Sequence, residues 1–86
     1  MRGHAQLFSL IVLYPFFAFS QAENFLEQGQ VALREERYTD AIAYFTEMIK
    51  LNKKDCHAHV LRARAYKSTE QIHEALNDLN AAFALP

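Results

Sequence analysis

FLEQGQVALREERYTDAIAYFTEMIKL, residues 25–51, and HVLRARAYKSTEQIHEALNDLNAAFAL, residues 59–85, decide the fold when one is laid over the other. A shift of 34 residues puts Gly29 on Ala63, Ala41 on Ala75, Ile42 on Leu76, Phe45 on Leu79 and Leu51 on Leu85. In the same register Tyr38 meets Ile72, Asp40 meets Glu74 and Met48 meets Ala82. Eight such pairs in one register are an internal duplication, and a period of this length is the signature of stacked supersecondary units.

The pattern inside each unit is helical. Phe25, Leu26, Gly29, Ala32 and Leu33 recur at the spacing of one helix face, as do Ala41, Ile42, Phe45, Met48 and Ile49. A fourth segment repeats this with Ile72, Ala75, Leu76, Leu79, Ala82 and Phe83. Between them, Cys56 to Ser68 spreads its small residues Ala58, Ala63 and Ala65 over several faces, the pattern of a helix packed on two sides. Thr39 is expected to cap the second helix, with Asp40 favourable to its dipole, and Asp55 to cap the third. Breaks near Glu36–Tyr38 and Thr69–Gln71 are too short for anything but an antiparallel return. Gly29 and Ala63, facing Ala41 and Ala75, let paired helix axes approach closely, and Phe25, Phe45 and Tyr66 fill the space around the crossings.

Ahead of this lies a segment of different composition. Leu7 to Phe19 is an apolar run of 13 residues broken only by Ser9 and Pro15, with Arg2 before it and small residues at Ala18, Ser20 and Ala22 after it. That order predicts a signal peptide over residues 1–20, cleaved after Ser20 or Ala22. The run is shorter than the ~20 residues a spanning helix needs. An uncleaved hydrophobic anchor and a start that the cell does not use stay open beside it. The expected location is therefore the secretory lumen or outside the cell, with a membrane-anchored or a cytoplasmic protein as the alternatives.

Charge excludes one partner class. Without Arg2, eight Lys and Arg stand against ten Asp and Glu, with no basic stripe for a phosphate backbone, so nucleic acid is not expected. The single Cys56 cannot form an internal disulfide and is expected to be buried as a small hydrophobe, with a thiol free to pair with another chain as the alternative. His57 and His59, two apart on a helix, should point to different faces, and Cys56 with His59 makes too few ligands for zinc. No phosphate loop, nucleophile elbow or convergent carboxylate pair is present, so neither catalysis, cofactor nor metal is expected. The run Arg34, Glu35, Glu36, Arg37 reads as a solvated helix end.

Together these residues resemble the tetratricopeptide repeat, a 34-residue helix–turn–helix unit. The resemblance is carried by Phe25, Gly29 and Ala63, Tyr66, Ala41 and Ala75, Phe45 and Ala82. It places one unit at 22–55 and a second, truncated at its end, at 56–86. Gln28 and Arg62 depart from it where a leucine is usual, His59 where a large hydrophobe is usual, and Lys53 where a proline commonly ends the unit. The resemblance implies an all-α fold of two antiparallel hairpins stacked as a short α-solenoid, behind a hydrophobic leader helix.

It also implies a non-catalytic interaction module that binds a peptide or helix of a partner protein on its concave face. The positions that face this groove in the family fall on Glu23, Leu26, Glu27 and Gln30, then His57, Val60, Leu61 and Arg64. The clamp by which some members hold the C-terminal carboxylate of heat-shock chaperones needs Lys and Asn where this chain has Leu26, Gln30 and Leu61, so that use is not expected; Arg64 remains able to hold a carboxylate. Two units bury a limited core. Leu79, Ala82, Phe83 and Leu85 are expected to lack a covering helix, which predicts a marginal species or self-association through the final helix. The alternatives to a small secreted module are a fragment or isoform of a larger cytosolic scaffold and a membrane-anchored adaptor.

Overall fold

The computed structural model describes residues 20–84. The leader expected at 1–20 lies, but for Ser20, outside the described residues, as does Leu85. Among the described residues all regular structure is helical, in four segments: α1 over 20–34, α2 Tyr38–Leu51, α3 Cys56–Ser68 and α4 Ile72–Ala84. No helix among them is long and apolar enough to cross a membrane.

Both hairpin turns use the same device. Glu36 and Glu70 adopt left-handed backbone, with φ of 60° and 62°. At the first turn the Arg37 amide donates to the Ala32 carbonyl at 2.8 Å and the Glu36 amide to Leu33 at 3.1 Å. At the second, Gln71 donates to Tyr66 at 2.8 Å and Glu70 to Lys67 at 3.0 Å. These crossed bonds are the Schellman closure that satisfies orphan carbonyls at a helix end, built here on glutamate where glycine is usual. The chain enters α2 one residue later, so Thr39 is not the cap. Arg37 occupies that place without a side-chain bond, and Thr39 falls inside the first turn. Asp55 does cap α3, accepting from the Ala58 amide at 3.1 Å.

Helix crossing follows the small residues. A methyl group added to Gly29 would lie 2.7 Å from Cζ of Phe45, so the ring occupies the space that glycine leaves. Phe45 is fully buried, and burying a side chain of that size contributes roughly 1.5–3 kcal/mol. Around it the core gathers Ala32, Ala41 and Met48 from the first hairpin with Ala58, Leu61 and Ala65 from α3. Leu26, Leu33, Ile42 and Ile49 are partly buried against that cluster. Helix α3 packs against both α2 and α4, which is why its buried residues do not form one stripe.

Covering of α4 differs from expectation. Ala82 is buried and Leu79 half-buried, whereas Ile72, Leu76 and Phe83 are exposed, Phe83 by 84%. Helix α4 packs on α3, and Cys56 Sγ donates to the Ala82 carbonyl at 3.4 Å, so the Ala82 turn lies against the start of α3. Cys56 itself is exposed, not buried.

Candidate partner-binding face

On α1, Glu23 and Glu27 are exposed, and Leu26 and Gln30 are half-buried. On α3, His57, Val60 and Arg64 are exposed at spacings of three and four, so they share one face. Leu61 does not join them. It is 6% exposed and belongs to the core, because the turn that aims Val60 outward aims its neighbour at α2. Lys67, one turn beyond Arg64, is exposed on the same stripe and was not foreseen. The candidate face therefore has an acidic wall on α1 and a basic one on α3. His57 is exposed and His59 buried, as their spacing requires.

His59 sits in a buried constellation that the sequence did not announce. Its Nδ1 lies 3.1 Å from Asp78 Oδ1, and its Nε2 lies 3.1 Å from the Lys53 carbonyl. Arg62 donates through Nε and Nη2 to the two oxygens of Asp78 at 2.8 and 2.6 Å. Its Nη1 reaches Thr46 Oγ1 of α2 at 3.1 Å, and its guanidinium lies 5.7 Å from the Tyr66 ring centre. Hydrogen bonding to Asp78 raises the Arg62 pKa against the opposing effect of burial. His59 and Arg62, two departures from the family pattern, are thus joined through one aspartate, and Lys53, a third, meets His59 through its backbone carbonyl. No buried side-chain nitrogen or oxygen among the described residues lacks a partner. A His–Asp contact can serve a general base, but here both ring nitrogens face protein acceptors and neither is free for a substrate proton. The constellation is a brace that ties α4 to α3 and α3 to α2. No cluster of potential metal ligands occurs among the described residues.

Two shallow concavities flank the stack. One, of about 260 Å³, runs between Val60, Ala63, Arg64 and Lys67 of α3 and Ile72, Leu76 and Leu79 of α4. The other, of about 310 Å³, lies at the opposite end and is lined by Asn24, Glu27, Gln28, Val31, Arg37 and Tyr44. The first is apolar with two cations on its rim; the second is polar and apolar in nearly equal parts.

Paired antiparallel helices in a 34-residue register, with exposed stripes on the first helix of each pair, define a helical-hairpin repeat protein. The tetratricopeptide repeat description matches residues 22–55. The chain is 32% identical over 59 residues to human sperm-associated antigen 1, covering 69% of this chain and 6% of that protein. It is 36% identical over 59 residues to Hsp70-Hsp90 organizing protein 2 of Arabidopsis thaliana, covering 69% of this chain and 10% of that one. Against Hsp70-Hsp90 organizing protein 1 of Glycine max it is 31% identical over 64 residues, 74% of this chain and 11% of the relative. The matched stretch is therefore a small part of these relatives' own length. No solved structure matches significantly. The chain belongs to the tetratricopeptide repeat family, a non-enzymatic fold of protein-interaction modules.

Proposed function

We propose that the chain binds a peptide or helix of a partner protein along the exposed stripes of α1 and α3. The observation that carries this is the register of the two stripes: Glu23 with His57, Leu26 with Val60, and Gln30 with Arg64 recur at the 34-residue period. An apolar centre between acidic and basic walls suits an extended segment with hydrophobic anchors and opposite charges at its two ends. The names of the Hsp70-Hsp90 organizing proteins suggest chaperones as one partner class. Burial of Leu61 and partial burial of Leu26 argue against a polar carboxylate clamp at those positions.

The test is a peptide library displayed against the full chain and rescreened on two variants, Glu23→Lys with Glu27→Lys, and His57→Glu with Arg64→Glu. The selected peptides should carry separated charges and lose about tenfold in affinity for either variant. Peptides that bind both variants as tightly as the parent would overturn the assignment.

Localisation to the secretory lumen is part of the same proposal and rests on the apolar run Leu7–Phe19 behind Arg2. Intact mass of a C-terminally tagged product from secretory cells tests it. Loss of 20 or 22 residues supports it; a full-length product in membranes or cytosol selects the anchored adaptor or the cytosolic scaffold.

A further inference from the structure

His59 meets an acceptor at each ring nitrogen, Asp78 Oδ1 at 3.1 Å from Nδ1 and the Lys53 carbonyl at 3.1 Å from Nε2. A neutral imidazole has one N–H and one lone pair. Either tautomer therefore satisfies one of these contacts and turns a lone pair toward the other acceptor. The acceptors cannot supply the missing proton. A backbone carbonyl carries none, and both oxygens of Asp78 accept from Arg62, at 2.8 and 2.6 Å, which favours the ionised carboxylate. An imidazolium, with a proton on each nitrogen, donates to both.

Burial makes the mismatch matter. His59 is 8% exposed and Asp78 3%, so a lone pair opposed to an oxygen there has little access to water in compensation. From α4 the ring faces the Asp78 carboxylate, while Glu74, one turn earlier, is exposed. From the α2–α3 connection it faces the Lys53 carbonyl, with the Lys53 side chain exposed. At the start of α3, Asp55 accepts from the Ala58 amide and Cys56 donates to Ala82. Arg62 is the opposing cation, and its charge is paired with Asp78. Helix α2 reaches the constellation through the uncharged Thr46; its Asp40 pairs with Arg37 and its Glu47 with Lys50.

We infer that His59 is a proton-operated latch on the second hairpin. The ring takes up a second proton from solvent as pH falls through the histidine range, and with both protons in place it fastens α3 to α4 and to the α2–α3 connection. The folded chain then binds one proton more than the unfolded chain near neutral pH, so stability falls as pH rises. The contribution is complete below about pH 6.5, where an unfolded histidine is itself charged, and is lost as pH rises above that value. Helix α3 also carries His57, Val60 and Arg64, so the latch governs how firmly that stripe is held. This last consequence rests on the binding face proposed above; the latch itself does not.

The test uses the full 86-residue chain. Nitrogen–proton correlation spectra of the imidazoles at pH 7 should show the two His59 nitrogens alike, as in an imidazolium, and separated once urea unfolds the chain. Urea unfolding at a series of pH values should give a folding constant that falls about three- to tenfold from pH 6 to pH 8, a window in which the carboxylates stay ionised. His57→Gln with His73→Gln should keep that dependence, and His59→Gln, whose side chain does not titrate, should flatten it. Separated His59 nitrogens in the folded parent at pH 7 overturn the proposal, even if His59→Gln fails to fold. So does a folding constant unchanged from pH 6 to pH 8, or a dependence that survives in His59→Gln. These readouts need no partner, so they decide the latch whatever becomes of the binding face.

Discussion

The two hairpins solve the same packing problem with opposite chemistry. In the first, Phe25 of α1 meets Tyr44 of α2 with ring centres 6.5 Å apart. In the second, the equivalent residues are His59 and Asp78, joined by a hydrogen bond and gripped by Arg62. An aromatic pair gains from area and tolerates small shifts. An ion-paired constellation gains little net free energy after desolvation, but it demands one geometry and penalises the loss of any member. The second hairpin is thus held less by volume than by register, and its polar brace reaches across to Thr46 of the first.

The comparison breaks most visibly at Asp78. Asp78→Ala leaves the half-buried Arg62 guanidinium without its carboxylate and His59 Nδ1 without its partner, and should cost about 3 kcal/mol or more, read as a fall in the urea midpoint of the full chain. Nearly unchanged stability would show that the brace is solvated and optional.

The next largest effect belongs to the first hairpin. Gly29→Ala pushes a methyl into the Phe45 ring, an overpacking cost of about 1–3 kcal/mol that the better helix propensity of alanine, about 1 kcal/mol, offsets in part. Ala63→Gly, facing the smaller Leu79, should lose only about 1 kcal/mol, through propensity. Thermal melts followed by circular dichroism rank the two, and a stabilised Gly29→Ala would refute the close contact.

The comparison is sharpened by making the second hairpin copy the first. The combination His59→Phe, Arg62→Gln and Asp78→Tyr should lie within about 1 kcal/mol of the parent or above it, although His59→Phe alone destabilises. A triple variant as weak as the sum of its singles would mean that the two sites are not interchangeable.

Smallest of all, Glu36→Gly and Glu70→Gly should each stabilise by about 0.5–1 kcal/mol, because left-handed backbone strains a side chain more than it strains glycine. Hydrogen exchange at Arg37 and Gln71, whose amides close the two turns, checks whether the gain is local.

Much of this was legible in the residues. The duplication set the helix boundaries to within a residue or two, and Gly29, Ala41, Phe45 and the Asp55 cap followed from local spacing. What stayed hidden depended on neighbours distant in sequence. His59 and Arg62 read as departures because their partner Asp78 is 19 and 16 residues away, and periodicity does not say which polar side chains will meet. The left-handed turns carry no glycine to mark them, so the sequence points to Thr39 as a cap although the chain enters the helix at Arg37 without a side-chain bond. Leu61 was placed on the binding face by the family register, yet the 100° between successive helical residues turns it inward while Val60 stays outside. Ala82 and Cys56 depend likewise on a contact between the two ends of the second hairpin, 26 residues apart in sequence.

The unlike ends of the stack have a consequence for assembly. Endless head-to-tail polymerisation needs each surface to complement its opposite, as in open helical fibres. Here Asn24, Glu27 and Gln28 hold one end hydrophilic, with Gln28 bonded to Asn24 at 3.0 Å, while the other end is oily. Stacking the face that carries Asn24, Glu27 and Gln28 on the apolar groove of another copy would bury those groups without partners, which disfavours a head-to-tail row of the described hairpins.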